Sequence, residues 1–124
     1  MGERGNILVI NEEKEIYLYT HWYGYKIKQI LQAALKRGYD RLKDGSYITR
    51  IIFSEMIQKD LMGTTGYGIS PYRISDNYEM VIFNVDDQSI KFENDDKIYT
   101  IQEFLDTEFE EDWKGTKGHL YNAT

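Results

Sequence analysis

The hydrophobic residues change their spacing twice along the chain, and this change constrains the fold more than any other feature of the sequence. Short runs of β-branched and aromatic residues at 7–10 and 15–20, separated by a polar turn, are typical of a β-hairpin. The apolar residues of 27–35 then recur at every third or fourth position, as on one face of an amphipathic helix. Three further strand-like runs follow at 78–85, 88–93 and 97–101. The sequence therefore predicts an α+β fold, in which a small antiparallel sheet, made of the N-terminal hairpin and a C-terminal three-strand meander, packs with two central helices.

The second central helix is predicted from Tyr47 to Met62, with Ser46 as its N-cap, and it is apolar on two sides. One side carries Ile48, Ile51, Ile52, Met56 and Met62, and the nearly opposite side carries Phe53, Ile57 and Leu61. A helix of this kind in a small domain has to be covered twice, by its own sheet and by a neighbouring helix or a second subunit. We therefore expect a homo-oligomer, at least a dimer.

Length and composition indicate one domain. With 124 residues the chain can bury a core without disulfides, and it has no cysteine, which excludes thiol catalysis and zinc–thiolate sites. We expect a single domain over 1–124, with a last short helix at 101–109 and a frayed acidic and Gly-Lys tail at 110–124. The sequence contains neither a long apolar run nor a leader, which predicts a cytoplasmic protein without a membrane segment.

The negative charge is concentrated in one segment. The chain carries 15 Lys and Arg against 21 Asp and Glu, a net charge of −6, which argues against polymeric nucleic acid and anionic membranes as partners. Six of the acidic residues lie within 103–112, a segment without Lys or Arg. The rest of the chain is therefore neutral, and a small anion in a pocket remains compatible with the composition.

Two loops concentrate residue types that suit a small ligand. The connector 20–25 contains three aromatic residues and His21, and Trp22 could stack on a base from this surface position. The alternative is that these aromatics hold the first helix against the sheet. The glycine-rich segment 63–68 is either a helix cap and chain reversal or a loop that packs its backbone against a ligand.

The polar stretch after the glycines carries Arg73, Asp76 and Asn77, close to Tyr67 and Tyr72. A guanidinium suits phosphate, an Asp or Asn suits ribose hydroxyls or a base edge, and an aromatic plane suits stacking. These types together would bind a small nucleotide, although any surface loop could carry them by chance.

Two polar residues interrupt the apolar sides of the second helix. Glu55 lies within the main stripe, where Lys59 is its nearest local partner, and Arg50 lies on the opposite side beside Ile57.

Besides binding of a small nucleotide, two other classes of function stay open: an enzyme that cleaves a small nucleotide with Glu55 or His21 as acid or base, and a non-catalytic protein-interaction module. The histidines do not form a credible metal pair.

Several of these segments match one known family. They are Tyr19-Thr20-His21-Trp22, Arg37-Gly38 with Arg41, YITRIIFSEMI at 47–57, TGYGIS at 65–70, and Asp76-Asn77. Over residues 17–85 the chain resembles the first-described Thoeris anti-defence family, phage and prophage proteins that counter a TIR-based bacterial immune system. The family pattern has a Gly after the Trp and a Trp after the Arg of the link, where this chain has Tyr23 and Leu42.

The resemblance implies a sponge rather than an enzyme. Proteins of this family are oligomers that bind the glycocyclic ADP-ribose signal of the TIR enzyme in the host cytoplasm and hold it intact, without a cofactor. On this chain we expect residues for stacking or pocket walls, for phosphate, and for sugar or base contacts. These are, in that order, Trp22 and Tyr67; Arg50 and Arg73; and Asp76 and Asn77. Gly68, in the glycine-rich segment, is also expected among the ligand-binding residues.

Overall fold

The computed structural model describes residues 2–111, which form six strands and three α-helices. The strands are β1 (Gly5–Asn11), β2 (Lys14–Thr20), β3 (Tyr67–Ser70), β4 (Val81–Asn84), β5 (Ser89–Phe92) and β6 (Ile98–Thr100). The helices are α1 (Ile27–Arg37), α2 (Gly45–Ile57) and α3 (Ile101–Asp106). All strands belong to one sheet with the order β3-β2-β1-β4-β5-β6. The predicted α+β class, with a hairpin, a meander and two central helices, is confirmed.

The sheet is mixed, and this corrects the prediction of a purely antiparallel one. The hairpin and the meander join through β1 and β4, which run parallel with Ile7 opposite Val81. A tight turn imposes antiparallel pairing only within its own hairpin, so the relative direction of the two units depends on the path between them. That path also contains the sixth strand, β3, which pairs with β2 and begins within the last two residues of the segment 63–68 that we predicted as a glycine loop.

The core lies between the sheet and the helices α1 and α2. Ile7 and Val9 of β1 point into it together with Leu18 of β2, because alternate strand residues share a face. The predicted apolar face of α1 is confirmed, since Leu31, Leu35 and its other members are buried there. The face of the sheet opposite the helices is called the helix-free face below.

Helix α2 differs from its prediction at both ends. Its N-cap is Asp44 and not Ser46, because the Asp44 carboxylate accepts the backbone N–H of Tyr47 at 3.3 Å. The helix ends at Ile57, so Met62 is 86% exposed instead of lying in the buried stripe. On its outer side Phe53 and Ile57 are half-buried, and this side is not fully covered by the rest of residues 2–111.

The turn of the first hairpin has an uncommon backbone. Glu12 and Glu13 have φ of 54° and 65°, a left-handed conformation that glycine or asparagine adopts more readily. The carboxylate of Asp86, in the β4–β5 turn, accepts the backbone N–H groups of both glutamates at 2.8 and 3.0 Å. The turn is therefore held by a residue from the distant meander.

The chain after α3 packs back on α1. Gln29 and Gln32 donate to the carbonyl oxygens of Phe109 and Thr107 at 2.6 and 2.7 Å, and the Phe109 ring lies 5.3 Å from that of Phe92. Helix α3 is shorter than predicted, with Thr100 and Glu103 forming its capping box. Most of the predicted frayed tail, 112–124, lies outside the described residues.

Candidate functional site

The candidate site lies on the helix-free face, at the end where β2 leaves the sheet. Asn6 alternates with the core residue Ile7 and therefore points to this face. In the register of the sheet, Asn6 lies directly opposite Tyr19 on β2, and Tyr19 lies directly opposite Gly68 on β3. Directly opposite residues share a face, so the three strands place these positions side by side.

Residues 71–80 connect β3 to β4 across this face and are held there by Asn6. Its side-chain amide, which is fully buried, donates to the Ile74 carbonyl oxygen at 2.7 Å and to Asp76 at 2.6 Å. Asn77 bonds the other end of the segment to the start of β1, accepting from the Arg4 N–H at 2.8 Å and donating its own N–H to the Arg4 carbonyl. In this arrangement Asp76 and Asn77 hold the crossing segment on the sheet.

Arg73 is engaged by two carboxylates. Its Nη1 and Nη2 donate to Glu93 at 2.7 and 2.8 Å, and its Nε donates to Asp76 at 3.1 Å. The hydrogen bonds to Glu93 are the largest cause of the raised pKa of Arg73, and those to Asp76 add to it. An open depression of about 470 Å³ lies beside this network. Arg73 therefore builds the floor of the site, and its guanidinium already has anionic partners there.

Trp22 contacts the glycine loop at Gly66. The backbone N–H of His21 donates to the Gly66 carbonyl at 2.8 Å, and Gly66 has a φ of 93°. A Cβ at Gly66 would lie 2.4 Å from the indole nitrogen of Trp22, so only glycine allows this contact. Trp22 remains 47% exposed, which leaves part of its ring open to a ligand.

Tyr67 and Gly68 follow directly in β3. Tyr67 is half-buried on the helix side of the strand, where burial raises its pKa and the nearby Tyr23 adds to the rise. Gly68 lies on the helix-free face, with the Ile74 side chain 3.6 Å from the position of a Cβ. The structure therefore brings Gly68 next to the crossing segment and points Tyr67 to the other side.

Four residues form what we call the exit cluster: Arg4, Tyr19, His21 and Trp22. The Tyr19 hydroxyl lies 3.0 Å from His21 Nδ1, and the His21 ring meets the Trp22 ring edge-on at 4.4 Å. Burial raises the pKa of Tyr19, the positive charge of Arg4 opposes this rise, and the negative charge of Asp76 adds to it. The cluster thus joins a cation, a phenol, an imidazole and an exposed indole.

Arg4 is the residue that sequence reasoning missed. Its Nε is buried, and its guanidinium has no hydrogen bond or ion pair with any other residue of 2–111. The residue itself is only half-buried. Nothing in the sequence distinguishes Arg4 from Arg73, because the difference depends on which carboxylates the fold brings to each.

Arg50 and Glu55 lie on α2, on the other side of the sheet from the exit cluster. Arg50 is exposed on the outer side of the helix and is not brought together with the other predicted site residues. Glu55 pairs with Arg37 of α1, with 3.1 Å between Nε and Oε1, and not with Lys59 as predicted. The partner was missed because it comes from the neighbouring helix rather than from the next turn of α2.

Within residues 2–111, no three His, Asp or Glu side chains are arranged to hold a metal ion. None of the helices described is long and apolar enough to cross a bilayer.

Comparisons with protein-family models, with curated proteins and with solved structures find no match to this chain.

Proposed function

We propose that this protein binds a cyclic ADP-ribose isomer produced by a TIR enzyme and sequesters it without cleaving it. As a phage-encoded protein in the cytoplasm of a bacterial host, it would thereby block activation of the Thoeris effector. The resemblance described above supports the identity of the ligand. The exit cluster supports the chemical class, which is a small anion that carries an aromatic base.

The observation that carries the proposal is the unpaired guanidinium of Arg4. A partly buried cation without a hydrogen-bonded anion is unfavourable, and a phosphate oxygen would relieve this with a charge-assisted hydrogen bond. The indole of Trp22 is 47% exposed and meets the His21 ring, whose Nδ1 lies 3.0 Å from the Tyr19 hydroxyl. A pyrophosphate and an adenine on one small molecule would engage both groups.

The other predicted residues take supporting roles in this proposal. Gly68 and the Gly66 loop form a wall, Arg73 and Asp76 shape the depression beneath the ligand, and Asn77 holds the crossing segment to Arg4. Tyr67 reinforces that wall from the helix side of β3. Arg50 belongs to a different surface and has no place in this site.

The test is ligand binding measured by calorimetry with purified cyclic ADP-ribose isomers. Arg4→Gln should weaken binding about tenfold or more, because one charge-assisted contact to phosphate is lost. Arg41→Gln, on the exposed link between α1 and α2, should bind like the parent chain. Equal affinity of the Arg4 variant and the parent would contradict the assignment.

Sequestration is tested on the fate of the ligand. After incubation with the protein and release by heat, mass spectrometry should recover the intact cyclic compound. A cleaved product would show an enzyme, and His21→Ala would then be expected to abolish turnover while binding persists. A thermal-shift series of adenine nucleotides that leaves the melting temperature unchanged would instead favour a protein-interaction module.

A further inference from the structure

Strand β3 leaves one row of its backbone groups open. The bond from His21 N–H to the Gly66 carbonyl identifies this pair as hydrogen-bonded in the antiparallel ladder. Hydrogen-bonded pairs alternate with non-bonded ones, so Gly68 and Ser70 direct their N–H and C=O groups to β2. The N–H and C=O groups of Tyr67 and Ile69 point the other way, from the outer edge of the sheet.

This edge lacks the features that usually keep edge strands apart. The sequence Tyr67–Ser70 contains no charge, and Ile69 is 60% exposed. The opposite edge, β6, has only three residues, follows Lys97 and leads directly into α3. The β3 edge is therefore the one that can accept another strand.

An apolar cleft adjoins the same edge on the helix side. It has a volume of about 390 Å³, and Ile16 and Ile69 of the sheet and Thr49 of α2 are among the residues that line it. Phe53 lies one turn beyond Thr49 on the same side of α2, and Ile57 lies one turn beyond Phe53. The open strand, the cleft and the outer side of α2 are thus neighbouring parts of one surface.

We propose that β3 pairs antiparallel with β3 of a second copy, across a two-fold axis at Gly68. Tyr67 of one copy then lies opposite Ile69 of the other, and each of these pairs exchanges both N–H···O=C bonds. All outward groups of the two strands are satisfied in this register. A register centred on Ile69 would place the Tyr67 carbonyl against Pro71, which has no N–H to donate.

The occupant is a second copy because the open edge is complementary to itself. The outward donors and acceptors of Tyr67 and Ile69 match those of the same strand turned by a two-fold rotation. Gly68 on the axis carries no side chain to obstruct close approach on the helix-free face. The rotation also brings the two clefts and the two outer sides of α2 together, which covers the exposed side of Ile69.

The first experiment compares two lysine substitutions by light scattering after size exclusion, without any nucleotide. Ile69→Lys places a charge in the paired edge and should reduce the mass by half, to that of a 14.7 kDa chain. Ile98→Lys is the matched control, since Ile98 is 63% exposed on the opposite edge strand, and its mass should equal that of the parent dimer. A monomeric parent chain, or equal effects of the two substitutions, would overturn the proposal.

The second experiment tests the position of the axis by cross-linking. Because the chain has no cysteine, any disulfide in Gly68→Cys must join two copies. A Cβ at this position meets only an ordinary contact, so the variant should fold, and cross-strand Cα atoms in a non-hydrogen-bonded pair are close enough for a disulfide. Mild oxidation should give a covalent dimer for Gly68→Cys and none for Ile98→Cys. A dimer that Gly68→Cys cannot cross-link would refute this axis, and neither result depends on ligand binding.

Discussion

Arg4 and Arg73 belong to the same end of the molecule but differ in their hydrogen-bond and ion-pair partners. Arg73 neutralises Asp76 and Glu93, of which the Asp76 side chain is 1% exposed. Arg4 has no anionic partner within residues 2–111. The two arginines should therefore respond differently when their charge is removed.

We expect Arg73→Gln to lower the free energy of unfolding by about 2 kcal/mol, because it leaves a buried carboxylate without its cation. Arg4→Gln should not lower the free energy of unfolding, because it removes a partly buried charge that has no hydrogen-bonded anion. Urea denaturation of both variants without ligand measures this difference. A comparable loss in the Arg4 variant would show that its guanidinium stabilises the fold and is not reserved for an anion.

The partners of the predicted site residues could not be read from the sequence. Trp22 and the glycine loop are neighbours in the structure, and their part in ligand binding stays a prediction. The roles of Arg73, Asp76 and Asn77 depend on Glu93 and on β1, which are distant in sequence. A local pattern cannot encode such partners, so it could not separate an available arginine from an engaged one.

At the scale of elements, periodicity predicted the hairpin and α1 well because their faces are long and regular. Strand β3 was missed because four residues that include a glycine carry almost no periodic signal. The parallel pairing of β1 with β4 has no local signature either, since it depends on how residues 71–80 cross the sheet.

The N-cap of α2 offers a direct test at this scale. Asp44→Ala should lower the free energy of unfolding by about 1 kcal/mol, because the Tyr47 N–H loses its side-chain acceptor. Ser46→Ala, two residues later inside the first turn, should change it by less than about 0.3 kcal/mol, since alanine suits a helix interior. Chemical denaturation of the two variants decides between Asp44 and Ser46 as the N-cap. A larger loss of stability for Ser46→Ala would support Ser46, the N-cap predicted from sequence.

At the scale of the whole molecule, partly buried tyrosines set an alkaline limit to stability. Burial is the largest cause of a raised pKa at Tyr17, Tyr19, Tyr25, Tyr67 and Tyr99, each from an ordinary value of 10.0. A raised folded-state pKa means that the native protein retains protons which the unfolded chain releases. Stability is then fully present below pH 10.0 and decreases as the pH rises through the folded-state pKa values.

We therefore expect urea midpoints that do not change through these tyrosines below about pH 9 and that fall as the pH is raised above about pH 10. Tyr99→Phe should reduce this fall, since Tyr99 is 8% exposed and packs 5.3 Å from Phe92. Tyr39→Phe, at a 54% exposed position, should leave the fall as it is in the parent chain. If both variants lose stability to the same extent as the parent, burial of Tyr99 is not a source of the alkaline effect.

The hairpin turn held by Asp86 has a consequence for the order of events during synthesis. Glu12 and Glu13 leave the ribosome more than seventy residues before the carboxylate that stabilises their backbone, and β1 likewise precedes its parallel partner β4. The nascent N-terminal half therefore emerges with a strained turn and one unpaired side of β1. Completion of the sheet must wait until the β4–β5 turn has emerged, so most of this chain has to be synthesised before any of its sheet can become stable.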